Sequence, residues 1–277
     1  WIENREPGAD EFLESLQPNL VPIIGVTGPP GAGKSTLISS LIEHWVKDGK
    51  RVAILSVDPS SPFHKGAILG DRIRMKDWYM NPNVFIRSLA TRGHLGGLIN
   101  GMIELTTLLQ SVGFDVILIE TVGVGQSEVE IAGLADTTIV VLVPEAGDEV
   151  QMMKSGLMEI AHIFVVNKSD RPDAEAFTNH LLHMMREGLG DAHSIPVVKT
   201  IATQQVGIIE LAAAIGAQQT AGLSSARKKQ LLISKLYQII TAHQMRQLDG
   251  PKIENDLAIA MQEKHFNIFT FSRKYYK

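Results

Sequence analysis

The stretch GVTGPPGAGKST, residues 25–36, decides the fold. An aliphatic run, Leu20-Val21-Pro22-Ile23-Ile24, leads into it, and Leu37-Ile38-Ser39-Ser40-Leu41 follows. Gly28, Gly33, Lys34 and Ser35 stand in the order Gly-x-x-x-x-Gly-Lys-Ser between a predicted buried strand and a helix start, the context a phosphate-binding loop requires. Glycines let the backbone curl so that its N–H groups point inward, Lys34 reaches the β- and γ-phosphates, and the Ser35 hydroxyl ligates Mg²⁺. The helix N-terminus adds positive potential. Gly31, Ala32 and Thr36 complete the cradle.

Working outward, aliphatic runs of strand length recur at 21–26, 51–57, 84–89, 115–120, 137–143, 163–166 and 195–198. They lack polar alternation, so they predict strands buried on both faces, as in a parallel sheet covered by helices. Helix-length stretches lie between them at 35–47, 98–111, 151–160, 175–188 and 207–214. The alternation predicts a doubly wound α/β fold of the P-loop NTPase kind. A short helix is expected at 6–16. From about Ser224 the pattern changes, with Leu231, Leu232, Leu236, Ile239 and Ile240 at helical spacing, then Leu257, Ile259 and Met261 after Asp249-Gly250-Pro251. This predicts a C-terminal extension of two helices. The expected organisation is a helical segment at 1–19, a nucleotide-binding domain at 20–220 and a helical arm at 221–277.

The 277 residues, 44% hydrophobic and 20% charged, suffice for a sizeable core. A net charge of −4 with interspersed signs gives no basic field for nucleic acid or anionic lipid, so neither partner is expected. With no cysteine there is no disulfide framework, thiolate zinc site or cysteine nucleophile, and the nine histidines are scattered. No apolar run reaches the roughly 18 residues of a membrane span. A cytoplasmic location is expected, or an organelle matrix if a targeting segment precedes Trp1.

A phosphate loop does not choose between adenine and guanine. Asn167-Lys168-Ser169-Asp170 follows the predicted strand 163–166 in an Asn-Lys-x-Asp pattern. A carboxylate at Asp170 accepts both the ring N–H and the exocyclic amine of guanine, a bidentate match that adenine lacks. Asn167 would brace the loop, and the stem of Lys168 would lie over the base. The expected ligand is therefore GTP, with GDP as product.

For the metal, Glu120 ends the predicted strand 115–120, where an acid can hold a Mg²⁺-bound water, and the Gly123 N–H can sense the γ-phosphate. Asp58, after the strand 51–57, and Asp71, in GAILGDRIRM, are further carboxylates in reach, against turn-capping and helix-capping roles. Lys34, Glu120 and Asp58 are the expected catalytic residues. Gly147-Asp148-Glu149 reads as an acidic loop at the same edge. Arg87 and Arg92 read as surface arginines with a possible phosphate or partner role, and His94 as structural. Gly123 is followed by Val124 rather than a water-orienting glutamine, and Gln126 lies two residues on, so a slow intrinsic hydrolysis rate is expected.

GPPGAGKST, SVDPSSP, GAILGDRIRM, HLGG, ETVGVGQSE, GDEVQMMKSGLMEIA and NKSD occur in this order. Together they resemble the MeaB/ArgK family, the GTPase chaperones of cobalamin-dependent acyl-CoA mutases, over roughly residues 1–214. The resemblance implies the fold of the signal-recognition and nickel-insertion GTPases and a homodimer formed through the C-terminal helices. It also implies assistance to methylmalonyl-CoA mutase or a relative, by gating adenosylcobalamin loading and by protecting or reactivating the enzyme. It assigns Lys34 and Ser35 to phosphate and Mg²⁺, Asp58, Asp71 and Glu120 to the magnesium site, Asn167 and Asp170 to guanine, and segment 145–154 to signalling toward the mutase.

Alternatives differ in their residue demands. A metal-insertion GTPase of related fold would carry a histidine tract or Cys-x-Cys motif. A partition-type ATPase would carry a lysine where Pro29 stands. A kinase or transport ATPase, names also attached to this family, would need a substrate pocket with a base, and 167–170 is better explained by guanine.

Overall fold

The computed structural model describes residues 2, 6–58, 75–90, 101–121, 123, 130–144, 156–189, 195–222, 224–262 and 265–276. Seven strands are β1 (Ile23–Thr27), β2 (Val52–Asp58), β3 (Val84–Ala90), β4 (Val116–Glu120), β5 (Thr137–Leu142), β6 (Ile163–Val166) and β7 (Val197–Lys199). They form one sheet in the order β3-β2-β4-β1-β5-β6-β7, every pairing parallel. The predicted strands all appear, the last displaced toward Lys199.

The helices are α1 (Ala9–Ser15), α2 (Lys34–Lys47), α3 (Met102–Ser111), α4 (Leu157–Ile160), α5 (Ala174–Leu189), α6 (Ile208–Ala221), α7 (Ser225–Arg246), α8 (Gly250–Ala260) and α9 (Ile268–Ser272). Helix α6 runs further than the 207–214 read from the sequence, because its later turns carry Ala and Gln without an apolar stripe to mark them. Of the stretch 151–160, only 156–160 fall among the described residues, and α4 takes 157–160 of them.

Alternation of side chains along the strands sends two sets to two faces. Ile24, Val26, Ile54, Leu118 and Val141 lie under α2 and α6, which contribute Leu37, Ile38, Leu41, Leu211 and Ile215. Ile23, Leu55, Ile117 and Ile119 lie on the other face with Met102 and Leu109 of α3. Beside them Val140, Leu142, Phe164 and Val166 pack with Phe177, Leu181 and Met185 of α5. Each such side chain contributes about 1.5–3 kcal/mol when fully buried. The helices are therefore held by their apolar faces, and the strand ends are left to carry the loops.

The chain divides into two compact units, Trp1–Leu231 and Leu232–Lys277. In the second, Asp249 caps α8 by accepting the Lys252 N–H at 3.1 Å, with proline in the first turn. The sequence reading expected two tail helices; the structure adds α9, whose cap is the Asn267 side chain accepting from the N–H groups of Phe269 and Thr270. Phe271 is buried there beside Phe266 and Tyr275, and the Tyr275 hydroxyl donates to Asp256 at 2.7 Å. A helix this short has no periodicity to read.

Candidate nucleotide site

The site lies at the C-terminal ends of the central strands. After β1 the chain turns through Gly28, whose φ of 138° suits glycine and whose added Cβ would fall on the Val141 carbonyl oxygen. The turn brings the backbone back toward α2, which starts from Gly33 with no side-chain cap. Lys34, only 6% exposed, donates from Nζ to the carbonyls of Gly28 at 2.8 Å and Pro29 at 3.1 Å. Its ammonium is thus folded back over the loop, at the place where a polyphosphate's charge would be met. Gly123 closes in from the end of β4: with φ 85°, a Cβ there would lie 2.5 Å from both Lys34 Nζ and the Gly28 carbonyl oxygen.

Glu120 is the last residue of β4, paired with Val26 of β1 and Ser56 of β2. Its carboxylate is buried. Oε1 accepts the Ser35 hydroxyl at 2.7 Å, and Oε2 accepts that of Ser56 at 3.4 Å. Thr121 follows, its hydroxyl donating to that of Thr27 at 2.9 Å. Oxygen ligands of this kind suit a hard cation. Ser35 gives its hydrogen to Glu120, and a Ser hydroxyl beside a buried carboxylate fits Mg²⁺. Asp58 ends β2 opposite Ala90. Asp71, the third expected carboxylate, lies outside the described residues, as do Arg92, His94, Val124, Gln126 and segment 145–154. Among the described residues no group of three or more His, Asp or Glu gathers into a metal cluster. Arg87 sits exposed in the middle of the edge strand β3, away from the strand ends.

Asn167 follows β6 and is buried. Its Nδ2 donates to the Ala32 carbonyl at 2.9 Å, and its Oδ1 accepts the Thr200 hydroxyl at 3.0 Å and the Ala202 N–H at 3.2 Å. The side chain therefore bridges the phosphate loop to the segment after β7. Lys168 has φ 56°, a left-handed turn, and Ser169 donates to the Val166 carbonyl at 2.6 Å, which leaves Asp170 exposed at the turn's rim. Gly31 and Thr36 complete the loop and the first turn of α2.

The sequence reading did not find Ser56, Thr27, Thr121, Thr200 or Ala202. A polar residue inside an aliphatic strand run, as at Ser56, was the available signal for the first. For Thr200 it was the hydroxyl residue directly after β7.

A phosphate loop with its buried lysine, a carboxylate on the loop's serine and an Asn-Lys-x-Asp turn braced onto the loop describe a GTPase site. Residues 1–249 match the family described as methylmalonyl Co-A mutase-associated GTPase MeaB. The chain belongs to this family. It is a GTPase and binds GTP. It is 38% identical to GTPase ArgK of Escherichia coli over 242 residues, spanning 83% of this chain and 73% of that protein. The crystal structure of an LAO/AO transport system kinase superposes with a TM-score of 0.64 at 26% identity, covering 99% of this chain and 88% of that one. HypB from Helicobacter pylori, solved in complex with nickel, shares the fold with a TM-score of 0.54 at 16% identity, over 78% of this chain and 94% of its own. The expected P-loop GTPase fold with C-terminal helices is borne out. Among the described residues no helix is long and apolar enough to cross a membrane.

Proposed function

We infer that this GTPase serves as a chaperone for a cobalamin-dependent acyl-CoA mutase, methylmalonyl-CoA mutase or a relative. It gates adenosylcobalamin loading and protects or reactivates the enzyme. Family membership supports the mutase as partner, and the buried Ser35–Glu120 pair beside Lys34 is the observation that carries the nucleotide chemistry.

Lys34 exchanges its hold on the Gly28 and Pro29 carbonyls for the β- and γ-phosphate oxygens, and the loop N–H groups cradle the same phosphates. Ser35 and Glu120, with Asp58 and Asp71, would hold Mg²⁺, which would supply charge neutralisation at the transferring phosphoryl group. Asp170 accepts from the guanine edge, Lys168 covers its face, and Asn167 keeps the base loop fixed to Ala32. Val124 cannot orient a water, so hydrolysis is slow until a partner engages segment 145–154 or supplies a group. The nucleotide then times a protein complex and fuels no small-molecule chemistry. The metal-insertion alternative draws on the HypB likeness, which at 16% identity carries the fold alone.

In the second unit, Leu232, Ile233, Leu236, Tyr237 and Ile240 are exposed along α7. An apolar stripe of this length fits a partner surface, and a second copy of the chain is the economical one. The functional test is gel filtration with purified methylmalonyl-CoA mutase, GDP or a non-hydrolysable GTP analogue, and Mg²⁺. Co-elution that differs between the two nucleotides is expected; separate elution with both would overturn the mutase assignment.

A further inference from the structure

The same helix that carries Lys34 and Ser35 at its head also holds the segment after β7. Ser40, on α2, is 4% exposed, and its hydroxyl donates to the Ala202 carbonyl at 2.7 Å across 162 positions of sequence. The Thr36 carbonyl one turn back is more distant, at 3.1 Å, and a hydroxyl has one hydrogen to give. On the exposed side of the same contact, Gln205 Nε2 donates to Glu43 Oε2 at 2.7 Å.

The segment so held is stitched to the base loop. Thr200 donates its N–H to the Val166 carbonyl at 2.9 Å, and the Ser169 N–H donates to the Thr200 carbonyl at 3.0 Å. The Thr200 hydroxyl and the Ala202 N–H both reach Asn167 Oδ1. Asn167 returns to the phosphate loop through Ala32, one residue before the α2 cap. The bonds form a closed ring: α2, Ser40, Ala202, Asn167, Ala32 and back to α2. Segment 200–207 is itself tight, since Ile201 bridges Val206 and a Cβ on Gly207 would meet the Lys199 carbonyl. It is therefore a compact turn, and Ser40 is its buried tie to the helix.

We propose that Ser40 is a positioning residue for guanine recognition: by holding the Ala202 carbonyl, its hydroxyl sets the spacing between the loop 167–170 and the phosphate loop at the head of the same helix. The proposal rests on the base-site reading of Asn167 and Asp170. Ser40 sits nearly two turns from Lys34, about 9 Å along the axis at 1.5 Å per residue, so removing its hydroxyl leaves the phosphate grip in place. What loosens is the hold on the base.

The test is Ser40→Ala, with Ser40→Thr to restore the donor and Thr106→Ala as a structural control. Thr106 is buried and its hydroxyl lies 2.9 Å from the Met102 and Ile103 carbonyls of its own helix α3, one of which takes its hydrogen, so its loss lowers Tm without touching the ring. For Ser40→Ala, KM for GTP is expected to rise and the preference for GDP over ADP to fall, each by roughly five- to tenfold, the lower range for one unmade buried hydrogen bond. Single-turnover rate at saturating GTP stays within about twofold, the signature of lost binding with the chemistry retained. Ser40→Thr returns both values toward those of the unmodified protein, and Thr106→Ala leaves them unchanged. A preference for GDP that survives Ser40→Ala undiminished overturns the proposal while leaving the base site standing. Equal affinity of the unmodified protein for GDP and ADP overturns both.

Discussion

Ser35 and Glu120, 85 positions apart in sequence, meet inside the protein at 2.7 Å, hydroxyl to carboxylate. The contact joins the first turn of α2 to the end of β4, so one buried acid serves both the phosphate loop and the strand beside it. Replacing Glu120 with Gln keeps the size and removes the charge. A hydrogen bond to a charged group is worth about 1.5–3 kcal/mol, so Mg²⁺-dependent GTP affinity is expected to fall roughly ten- to a hundredfold. Calorimetric titration with and without Mg²⁺ checks this. Affinity without the metal should change little.

Asp170 stands exposed after the Lys168 turn, where it can accept from guanine. Asp170→Ala is expected to weaken GDP binding about ten- to a hundredfold, the loss of charge-assisted hydrogen bonds, and to leave ADP binding unchanged. Equilibrium titration with both nucleotides measures the ratio.

A different group governs pH. His162 Nδ1 accepts the Thr138 N–H at 3.1 Å at the start of β5, so the ring must be neutral to keep the bond. Burial, and after it the Arg227 guanidinium, push its pKa below the usual histidine value, while Asp136 and the Ile160 backbone oppose the shift. The unfolded chain therefore takes up the proton at a higher pH than the folded one. The stability this gives is present above about pH 6.5 and is lost as pH falls toward the folded pKa. Urea denaturation at pH 7.5 and 5.5 should show a drop for the unmodified protein, and a smaller one for His162→Gln.

The sheet and the phosphate loop were legible because their signals are local. An aliphatic run such as 137–143 reads as a buried strand wherever it lies, and the glycine spacing of 28–33 has few other uses. Glu120 and Asn167 were legible for the same reason, the first ending a readable strand and the second directly following one. Ser40, Thr200 and Ala202 were not, since their roles depend on a contact between a helix and a loop 162 positions away, and nothing around Ser40 distinguishes it from any helical serine. Helix α9 escaped because five residues held by one Asn cap and an aromatic cluster show no period.

The exposed residues of α7 yield a quaternary prediction. Light scattering at tens of micromolar, above a typical micromolar Kd, is expected to give a dimer for the full chain. Truncation before Ser225 should give a monomer that still binds GDP.

Single-turnover hydrolysis of GTP, with and without a cobalamin-dependent acyl-CoA mutase, tests the central claim most directly. The isolated protein is expected to turn over within about tenfold of the 10⁻⁴–10⁻² s⁻¹ of GTPases acting without external help, and the mutase to accelerate it. Rapid hydrolysis by the isolated protein, indifferent to any mutase, would contradict the account.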